Sequence, residues 1–293
     1  MDIANLRAFA SVAQQLSFSR AAEHLHLTQP AVSKRVALLE AELDTPLFDR
    51  LGKRIELTEA GRALLARIPD IEQSLALAER SVRDLQGEIS GPLRIATSHH
   101  IGLHRLPPVL SAFQRRYPAV NLDIKFLDSE QAYDRLRTGT IELAVVTLAP
   151  GDVSQLDSEP LWQDSLHAMV AKDHPLADTG SINLARLATY PAVLPGLDTF
   201  TGQIVQKHFA VHELSVQLRM ATNYLETLRM MAIVGLGWTV LPHSMHTPDL
   251  CLLDVRNFHP SRTIGLVRHR ERSLSRSATA FIDTLHRAVA ESQ

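Results

Sequence analysis

The chain has 293 residues, of which 45% are hydrophobic and 21% charged, which is an ordinary composition for a globular protein. A chain of this length is too long for one typical core, so we expect two or three domains. A formal net charge of -2 gives no overall basic signal, and the single cysteine, Cys251, excludes an internal disulfide. The sequence has no apolar run of about 18 residues and no basic start followed by an apolar block, so we expect no membrane partner and a cytoplasmic location.

Residues 17–43 have the pattern of two short helices joined by a tight turn. Ser17 or Ser19 is suited to cap the first helix, because both precede apolar positions that recur at helical spacing. Thr28 is predicted to cap the second helix, and Pro30 falls in its first turn, where a missing N–H costs nothing.

The second helix is predicted to have one apolar and one polar face. Its buried positions are expected to be Ala31, Val32, Val36, Leu38 and Leu39. Its outward positions are expected to be Gln29, Ser33, Lys34 and Arg35. A helix that exposes small polar and basic side chains in its N-terminal half is suited to the DNA major groove.

A short basic hairpin is predicted next, in the sequence FDRLGKRIEL, with Gly52 at its turn. Acidic and basic residues balance over positions 1–65, so attraction to phosphate must come from local placement. The cluster of Arg50, Lys53 and Arg54 supplies it, and an ordinary solvated charged face is the equally weighted alternative.

Residues 58–88 are predicted to form one long helix that begins at Thr58. Its apolar residues alternate in steps of four and three: Leu64, Ile68, Ile71, Leu75, Ala78, Val82 and Leu85. This heptad pattern favours a two-helix coiled coil, and hence a dimer, over a helix that lies on its own core. Pro69 is expected to kink the helix.

After Gly91-Pro92 the pattern changes to alternating strands and helices, which predicts a parallel sheet with helices on both faces. Around residue 160 a connector, EPLWQDSLHAMVA, leads into a second set of strands and helices. A late strand, TIGLVRH, is expected to return to the first half before a final amphipathic helix. Two lobes linked by crossing strands predict a cleft between them.

Residues 1–88 resemble the winged helix-turn-helix and linker helix of LysR-type transcriptional regulators, on the run LRAFASVAQQLSFSRAAEHLHLTQPAVSKRVALLEAELDTPLFDRLGKRIELTEAG. Later segments, GPLRIA, LPPVLSAFQRRYPAVNLDI, LRTGTIELAVV and MAIVGLGWTVLP, are similar to the effector-binding region of that family in the same order. The resemblance implies an α+β multi-domain protein that binds double-stranded promoter DNA. It implies a homotetramer built as a dimer of dimers, with RNA polymerase as a further expected partner.

The domains implied are a winged helix-turn-helix over 1–57, a linker and dimerisation helix over 58–88, and an effector-binding domain over 91–293. The last has two α/β subdomains of the periplasmic-binding-protein-like (type 2) fold. Lobe I takes about 91–160 and 267–293, and lobe II about 161–266.

The resemblance also assigns DNA-contacting residues. Gln29 and Ser33 are expected to contact base edges, and the basic residues bases or phosphates. The full set is Ser19, Arg20, Thr28, Gln29, Pro30, Ser33, Lys34, Arg35, Arg50, Lys53 and Arg54.

The effector site is predicted where strands end and helices begin, since ligands of open α/β folds bind at the carboxyl ends of strands and helix N-termini attract anions. The candidate residues are Ser98, His99, His100, Thr147, Thr199, Phe200, Thr201, Asn223 and Glu226. Capping is an equally weighted role for the individual residues, with Thr201 and Asn223 as good N-cap types and Asn223 as the start of a helix. A small anionic or polar co-inducer is expected, and no other cofactor.

Fourteen histidines raise the question of a metal site. His99, His100 and His104 come closest to ligand spacing, and His243 and His246 form a second pair. With no cysteine or carboxylate motif beside them, structural or surface roles are favoured and no metal is predicted.

Two other classes were weighed. An enzyme is disfavoured because the sequence has no GxSxG, P-loop or HExxH motif. A solute-binding protein is disfavoured by the helix-turn-helix pattern and by the missing signal-peptide pattern.

Overall fold

The computed structural model describes residues 2–51, 54–83 and 88–291. The chain divides into two compact units, Met1–Glu79, here the N-terminal unit, and Arg80–Gln293, here the C-terminal unit. Within the described residues, no helix is both long and apolar enough to cross a lipid bilayer.

The N-terminal unit is a helical domain with one hairpin. Its elements are α1 Ile3–Gln15, α2 Phe18–His24, α3 Gln29–Leu43, β1 Phe48–Leu51, β2 Arg54–Leu57 and α4 Glu59–Arg83, which continues past the boundary. Polar side chains cap the N-termini of α2 and α3. Ser17 Oγ accepts from the Arg20 N–H at 3.3 Å and Thr28 Oγ1 from the Ala31 N–H at 3.4 Å. The Thr28 cap is confirmed, and of the two serines Ser17 is the cap.

One face of α3 packs into the core of the N-terminal unit. Val32, Val36 and Leu39 are buried there. The prediction that Leu38 is buried is wrong, because its side chain is 51% exposed. Successive residues of a helix are turned by about 100°, so Leu38 lies well away from the stripe formed by the other three.

The first half of α4 lies on that same core. Ile68 is buried in it, and Leu64 and Ile71 pack against it. The first half of this helix therefore lies on its own core, the alternative that the heptad pattern disfavoured. The helix continues through Pro69. Leu75 is half-buried, the side chains of Ala78 and Val82 lie outside what the structure describes, and so does residue Leu85. The coiled-coil dimer stays a prediction.

The C-terminal unit is built on mixed sheet. Its elements are β3 Gly91–Thr97, α5 His99–His104, α6 Pro107–Arg116, β4 Val120–Phe126, α7 Ser129–Arg137, β5 Leu143–Thr147, β6 Leu156–Ala171, α8 Leu184–Ala188, β7 Ala192–Leu194, α9 Phe200–Ala210, β8 Leu218–Ala221, α10 Leu225–Ile233, β9 Thr239–Pro242, a 3₁₀ turn His243–Met245, β10 Leu250–Leu252, β11 Ser261–His269 and α11 Arg276–Glu291.

The largest sheet has the strand order β10-β6-β11-β5-β3-β4, with β9 also paired to β6. The predicted parallel arrangement is confirmed, because β3 pairs in parallel with both β4 and β5. The predicted return of a late strand is also confirmed, since β11 pairs with β5 and β6. The segment predicted as a connector is a 16-residue strand, β6.

Two lobes share the long strands β6 and β11. Lobe I comprises β3–β5, α5–α7 and α11, and lobe II comprises α8–α10 and β7–β10. Each lobe packs its own apolar clusters, with Phe113 and Phe281 in lobe I and Phe209 and Trp238 in lobe II. The pairing of β6 with β11 is irregular at Gly265, which lies opposite Pro160.

Candidate functional site

The exposed end of α3 is the first candidate site. Thr28, Gln29, Pro30 and Lys34 are exposed there, and Ser33 and Arg35 are half-buried. Ser19 and Arg20 are exposed at the start of α2. The predicted contact residues of the two helices therefore lie at helix starts, with the apolar residues of α3 facing the core. Small polar and basic side chains on such a face match the donor and acceptor pattern of a DNA major groove.

The predicted wing is the β1–β2 hairpin. Arg50 pairs with Ile55 and Leu51 with Arg54 in antiparallel register, so Arg50 and Arg54 lie close to the tip. Lys53 lies outside the described residues, as do the side chains of Arg50 and Arg54. The backbone thus forms the predicted hairpin, and the contacts of its basic residues stay a prediction.

Glu40 joins the wing to α3, a role that sequence reasoning missed. Its Oε1 accepts from the Leu47 N–H at 2.8 Å and from the Phe48 N–H at 3.3 Å. Thr58, which follows the end of β2, fixes that end of the hairpin by donating its hydroxyl to the Pro46 carbonyl at 2.8 Å. Hydrogen bonds to a carboxylate are stronger than neutral ones, so Glu40 fixes where the hairpin starts relative to the helix.

A second candidate site is the cleft between the two lobes of the C-terminal unit. It encloses a cavity of about 40 Å³. Six of the predicted effector residues line it: Ser98, His100, Thr147, Thr199, Thr201 and Asn223. Asp128, Glu130 and Arg262 line it as well, and sequence reasoning missed all three. A space of this size holds about one water molecule, so the cleft is closed.

The lobe II side of the cleft corrects two capping assignments. Thr199, not Thr201, caps α9, since its hydroxyl accepts from the Gly202 N–H at 3.1 Å. Asn223 does not start a helix, because α10 begins at Leu225. Its side chain instead accepts from the Gly196 N–H at 3.2 Å and donates to Asp128 Oδ2 at 2.8 Å.

Two acidic residues of lobe I close the cleft against lobe II. Asp128 accepts from Asn223, and Glu130 Oε1 accepts from the N–H of Phe200, the first residue of α9. The Phe200 ring packs edge-on against Tyr133 at 5.3 Å between centroids. The first turn of a helix carries N–H groups without helical partners and favours a negative charge. In this structure a carboxylate of the chain itself fills that position.

A buried ion pair forms the floor of the cleft. Arg262 on β11 donates from Nη2 to Asp164 Oδ2 on β6 at 3.0 Å, and the two side chains are 4% and 5% exposed. Arg105 also donates to Asp164, at 3.0 Å. Burial lowers the pKa of Arg262 against the opposing effect of Asp164. Arg262 and Asp164 are about a hundred positions apart in the sequence, so no local pattern indicated that the two charges pair.

Histidines of α5 meet Glu226 of α10 at the edge of the cleft. His104 Nε2 lies 3.0 Å from Glu226 Oε1, His100 Nδ1 3.5 Å from the same oxygen, and His99 Nδ1 3.6 Å from Oε2. Burial, with smaller effects of Arg262 and His104, lowers the pKa of His100 to about 4. Burial raises the pKa of Glu226, but hydrogen bonds from the backbone N–H of Glu226 and from His104 lower it by more. The pKa of Glu226 therefore lies below its usual value.

Two family models match the chain. Residues 3–62 match the family described as bacterial regulatory helix-turn-helix protein, lysR family, and residues 86–290 match the LysR substrate binding domain. Similar proteins include a RuBisCO operon transcriptional regulator of Allochromatium vinosum, 34% identical over 96% of this chain and 94% of the relative. Another regulator of that description, from Acidithiobacillus ferrooxidans, is 31% identical over 98% of this chain and 94% of its own.

A solved structure shows the same fold. Full-length CbnR complexed with its target DNA covers 98% of this chain and 100% of its own, with a TM-score of 0.70 and 20% identity. The two family matches cover nearly the whole chain. The chain belongs to the LysR family and is a DNA-binding transcriptional regulator with an N-terminal helix-turn-helix and a C-terminal effector-binding domain.

Proposed function

We propose that this regulator binds promoter DNA in the cytoplasm as a dimer of dimers, and that a small anionic or polar metabolite bound between the lobes changes that binding. It acts by binding and carries out no catalysis. The observation that carries the effector half of the proposal is the contact of Glu130 with the start of α9, because a carboxylate of the chain there occupies the place that suits an anionic ligand.

The DNA half of the proposal rests on the exposed start of α3. Gln29 and Ser33 are assigned to base edges, and Lys34 and Arg35 to bases or phosphates. The hairpin residues Arg50, Lys53 and Arg54 are assigned to the adjacent minor groove or backbone, and RNA polymerase to a contact at the promoter. The exposure of Gln29 and Lys34 supports this division of roles.

The effector half requires the lobes to move. A cavity of about 40 Å³ is far below the roughly 300 Å³ or more of usual ligand pockets, so a metabolite enters only when the lobes separate. Separation breaks the Glu130–Phe200 and Asp128–Asn223 hydrogen bonds. It exposes the N–H groups of α9 and the hydroxyls of Ser98 and Thr201 to a ligand. Arg262 contributes less, because Asp164 already pairs with it.

The first test uses DNA from upstream of the gene of this chain. Gln29→Ala and Ser33→Ala are expected to weaken binding to it by about 1–3 kcal/mol each and to leave binding to random duplex nearly unchanged, since base-edge contacts carry the sequence information. Fluorescence anisotropy on both duplexes measures this. Equal losses on both would contradict the assignment, and no preference of the wild type for its own duplex would favour a solute-binding role.

The effector half is tested with a panel of small carboxylates and phosphates. A compound that raises the melting temperature of the full chain is then added to the promoter complex, and the footprint length is compared with and without it. Ser98→Ala and Thr201→Ala should retain DNA affinity in the absence of the compound and show a weaker footprint change. A full wild-type response from both variants would move the effector site elsewhere.

A further inference from the structure

Three potential metal ligands converge at the edge of the cleft. His100 and His104 lie four positions apart on α5, so they occupy one face of that helix. Glu226 reaches them from the first turn of α10 in the opposite lobe. One ligand atom of each lies within 4.8 Å of those of the other two. No cysteine or carboxylate motif lies beside these histidines in the sequence, but the fold brings Glu226 to them from about 120 residues away.

Two atoms of this cluster lack hydrogen-bond partners. His100 Nδ1 and Glu226 Oε2 are both buried and make no hydrogen bond within the described part of the chain. The His100 side chain is only 6% exposed, and its Nδ1 lies 3.5 Å from Glu226 Oε1 without forming a hydrogen bond. An unpaired buried polar atom costs free energy, so each one in a folded protein calls for an explanation. A cation bound to His100 Nδ1 and to the Glu226 carboxylate is one such explanation.

We propose that His100, His104 and Glu226 bind a divalent transition-metal ion, of which Zn²⁺ is the representative, and that this ion links lobe I to lobe II. Two imidazoles and one carboxylate are a common zinc ligand set that leaves a fourth position open. Tetrahedral geometry with bonds of about 2.05 Å separates ligand atoms by about 3.3 Å. The separations of 3.0 and 3.5 Å between Glu226 Oε1 and the two imidazole nitrogens agree with that spacing.

The electrostatic setting suits a cation. A zinc site of this kind takes neutral imidazoles and an ionised carboxylate as ligands. The charge of Arg262, which also lines the cleft, is offset by its buried pair with Asp164. His99, whose Nδ1 lies 3.6 Å from Glu226 Oε2, adds a further imidazole beside the site.

Binding at this place has a structural consequence. The ligands come from α5 of lobe I and α10 of lobe II, so an ion held by all three stabilises the closed arrangement of the lobes. An ion bound only by the two histidines of α5 does not have this effect. Metal-induced stabilisation that depends on Glu226 therefore separates the proposed site from simple histidine binding.

The test uses the untagged full chain, freed of metal with a chelator. Zn²⁺ binding is measured by competition with a chromogenic chelator, and ligand geometry by the visible absorption of Co²⁺. The wild type is expected to bind one Zn²⁺ per chain, to show the intense bands of tetrahedral Co²⁺ and to melt at a higher temperature with Zn²⁺. Glu226→Gln and His104→Gln should weaken Zn²⁺ binding by at least about 100-fold, because even outer-shell partners are worth about 10- to 100-fold.

His243→Gln is the matched control, because His243 belongs to the other histidine pair, stacked on His246 at 6.1 Å. It should bind Zn²⁺ like the wild type. His104 is half-exposed, so its replacement leaves the fold intact even if that of Glu226 does not. The proposal is overturned if the wild type binds no stoichiometric Zn²⁺, or if folded His104→Gln binds it as tightly as the wild type.

Discussion

Three glutamates of this protein connect segments that are far apart in the sequence. Glu40 accepts from the N–H groups that begin the wing, Glu130 from the first N–H of α9, and Glu226 from a histidine of the opposite lobe. Glu40 and Glu130 accept from backbone N–H groups, and Glu226 accepts from the side chain of the half-exposed His104. Such hydrogen bonds to an ionised acceptor are worth about 1.5–3 kcal/mol each.

At Glu130 the contact can be tested without knowing the effector. Glu130→Ala removes the acceptor of the Phe200 N–H, so exchange of that amide with solvent is expected to become about tenfold faster, equivalent to about 1.4 kcal/mol. Hydrogen exchange followed by NMR on the full chain measures it.

The exposed Glu213, just after α9, provides the control, and Glu213→Ala should leave the Phe200 amide unchanged. Unchanged exchange in Glu130→Ala would mean that the cleft is open in solution and that the carboxylate does not hold the start of α9.

Local signals in the sequence predicted the roles of side chains whose partners lie only a few residues away along the chain. Thr28 caps α3 through a hydrogen bond within that helix, and the structure has the cap at the predicted position. The prediction that Leu38 is buried was wrong because a count of apolar residues does not say which of two neighbouring apolar stripes on the helix packs against the core. The partners of Glu130 and Glu226 depend on how lobe I meets lobe II, which no local pattern contains.

At the scale of elements, β6 and β11 carry a buried ion pair between them. Asp164→Asn leaves the Arg262 guanidinium buried with a neutral partner, and we expect a loss of stability of about 3–5 kcal/mol. Chemical denaturation of the full chain, followed by the fluorescence of the buried Trp238, reports on the C-terminal unit.

Asp157 offers a control on the same strand. It pairs with Arg270 at 2.8 Å, but both side chains are substantially exposed, so Asp157→Asn should cost far less stability than Asp164→Asn. Similar losses in both variants would show that burial of the Asp164 pair contributes nothing beyond an ordinary surface pair.

The alternation of strands and helices predicted the order of elements in the C-terminal unit well. The parallel pairing of β3 with β4 and β5 followed from short βαβ spacing, which permits few other topologies. The 16-residue β6 was missed as a strand because its polar positions, the exposed Gln163 and the buried Asp164 among them, resemble a loop. Long-range pairing with β11, rather than local propensity, makes it a strand.

For the whole molecule, we predict that assembly depends on the second half of α4. The first half of its heptad pattern packs on the N-terminal core, so the half-buried Leu75 is the first described seam position left for a partner helix. Leu75→Asp is expected to disrupt the dimer, because it places an unpaired charge between helices. Light scattering coupled to size exclusion measures the mass.

Ala66→Asp adds the same charge at an exposed position of the same helix and should leave the mass unchanged. If Leu75→Asp also retains the wild-type mass, the oligomer forms through another surface, and the heptad pattern serves only to pack α4 on its own domain.

We expect the irregular pairing at Gly265 to set where β6 can bend. One residue of β6, Leu161, is inserted between the partners of Ile264 and Gly265. Pro160, opposite Gly265, has no N–H, and a Cβ at Gly265 would lie 2.4 Å from the Glu159 carbonyl oxygen. The β6–β11 ladder is thus interrupted at one point between two regular stretches, whereas the pairing of β11 with β5 is unbroken through Ile264 and Gly265. We expect β6 to bend at this interruption when the lobes move. Strand register on either side is then kept through each opening, and only side chains at the rim of the cleft change partners.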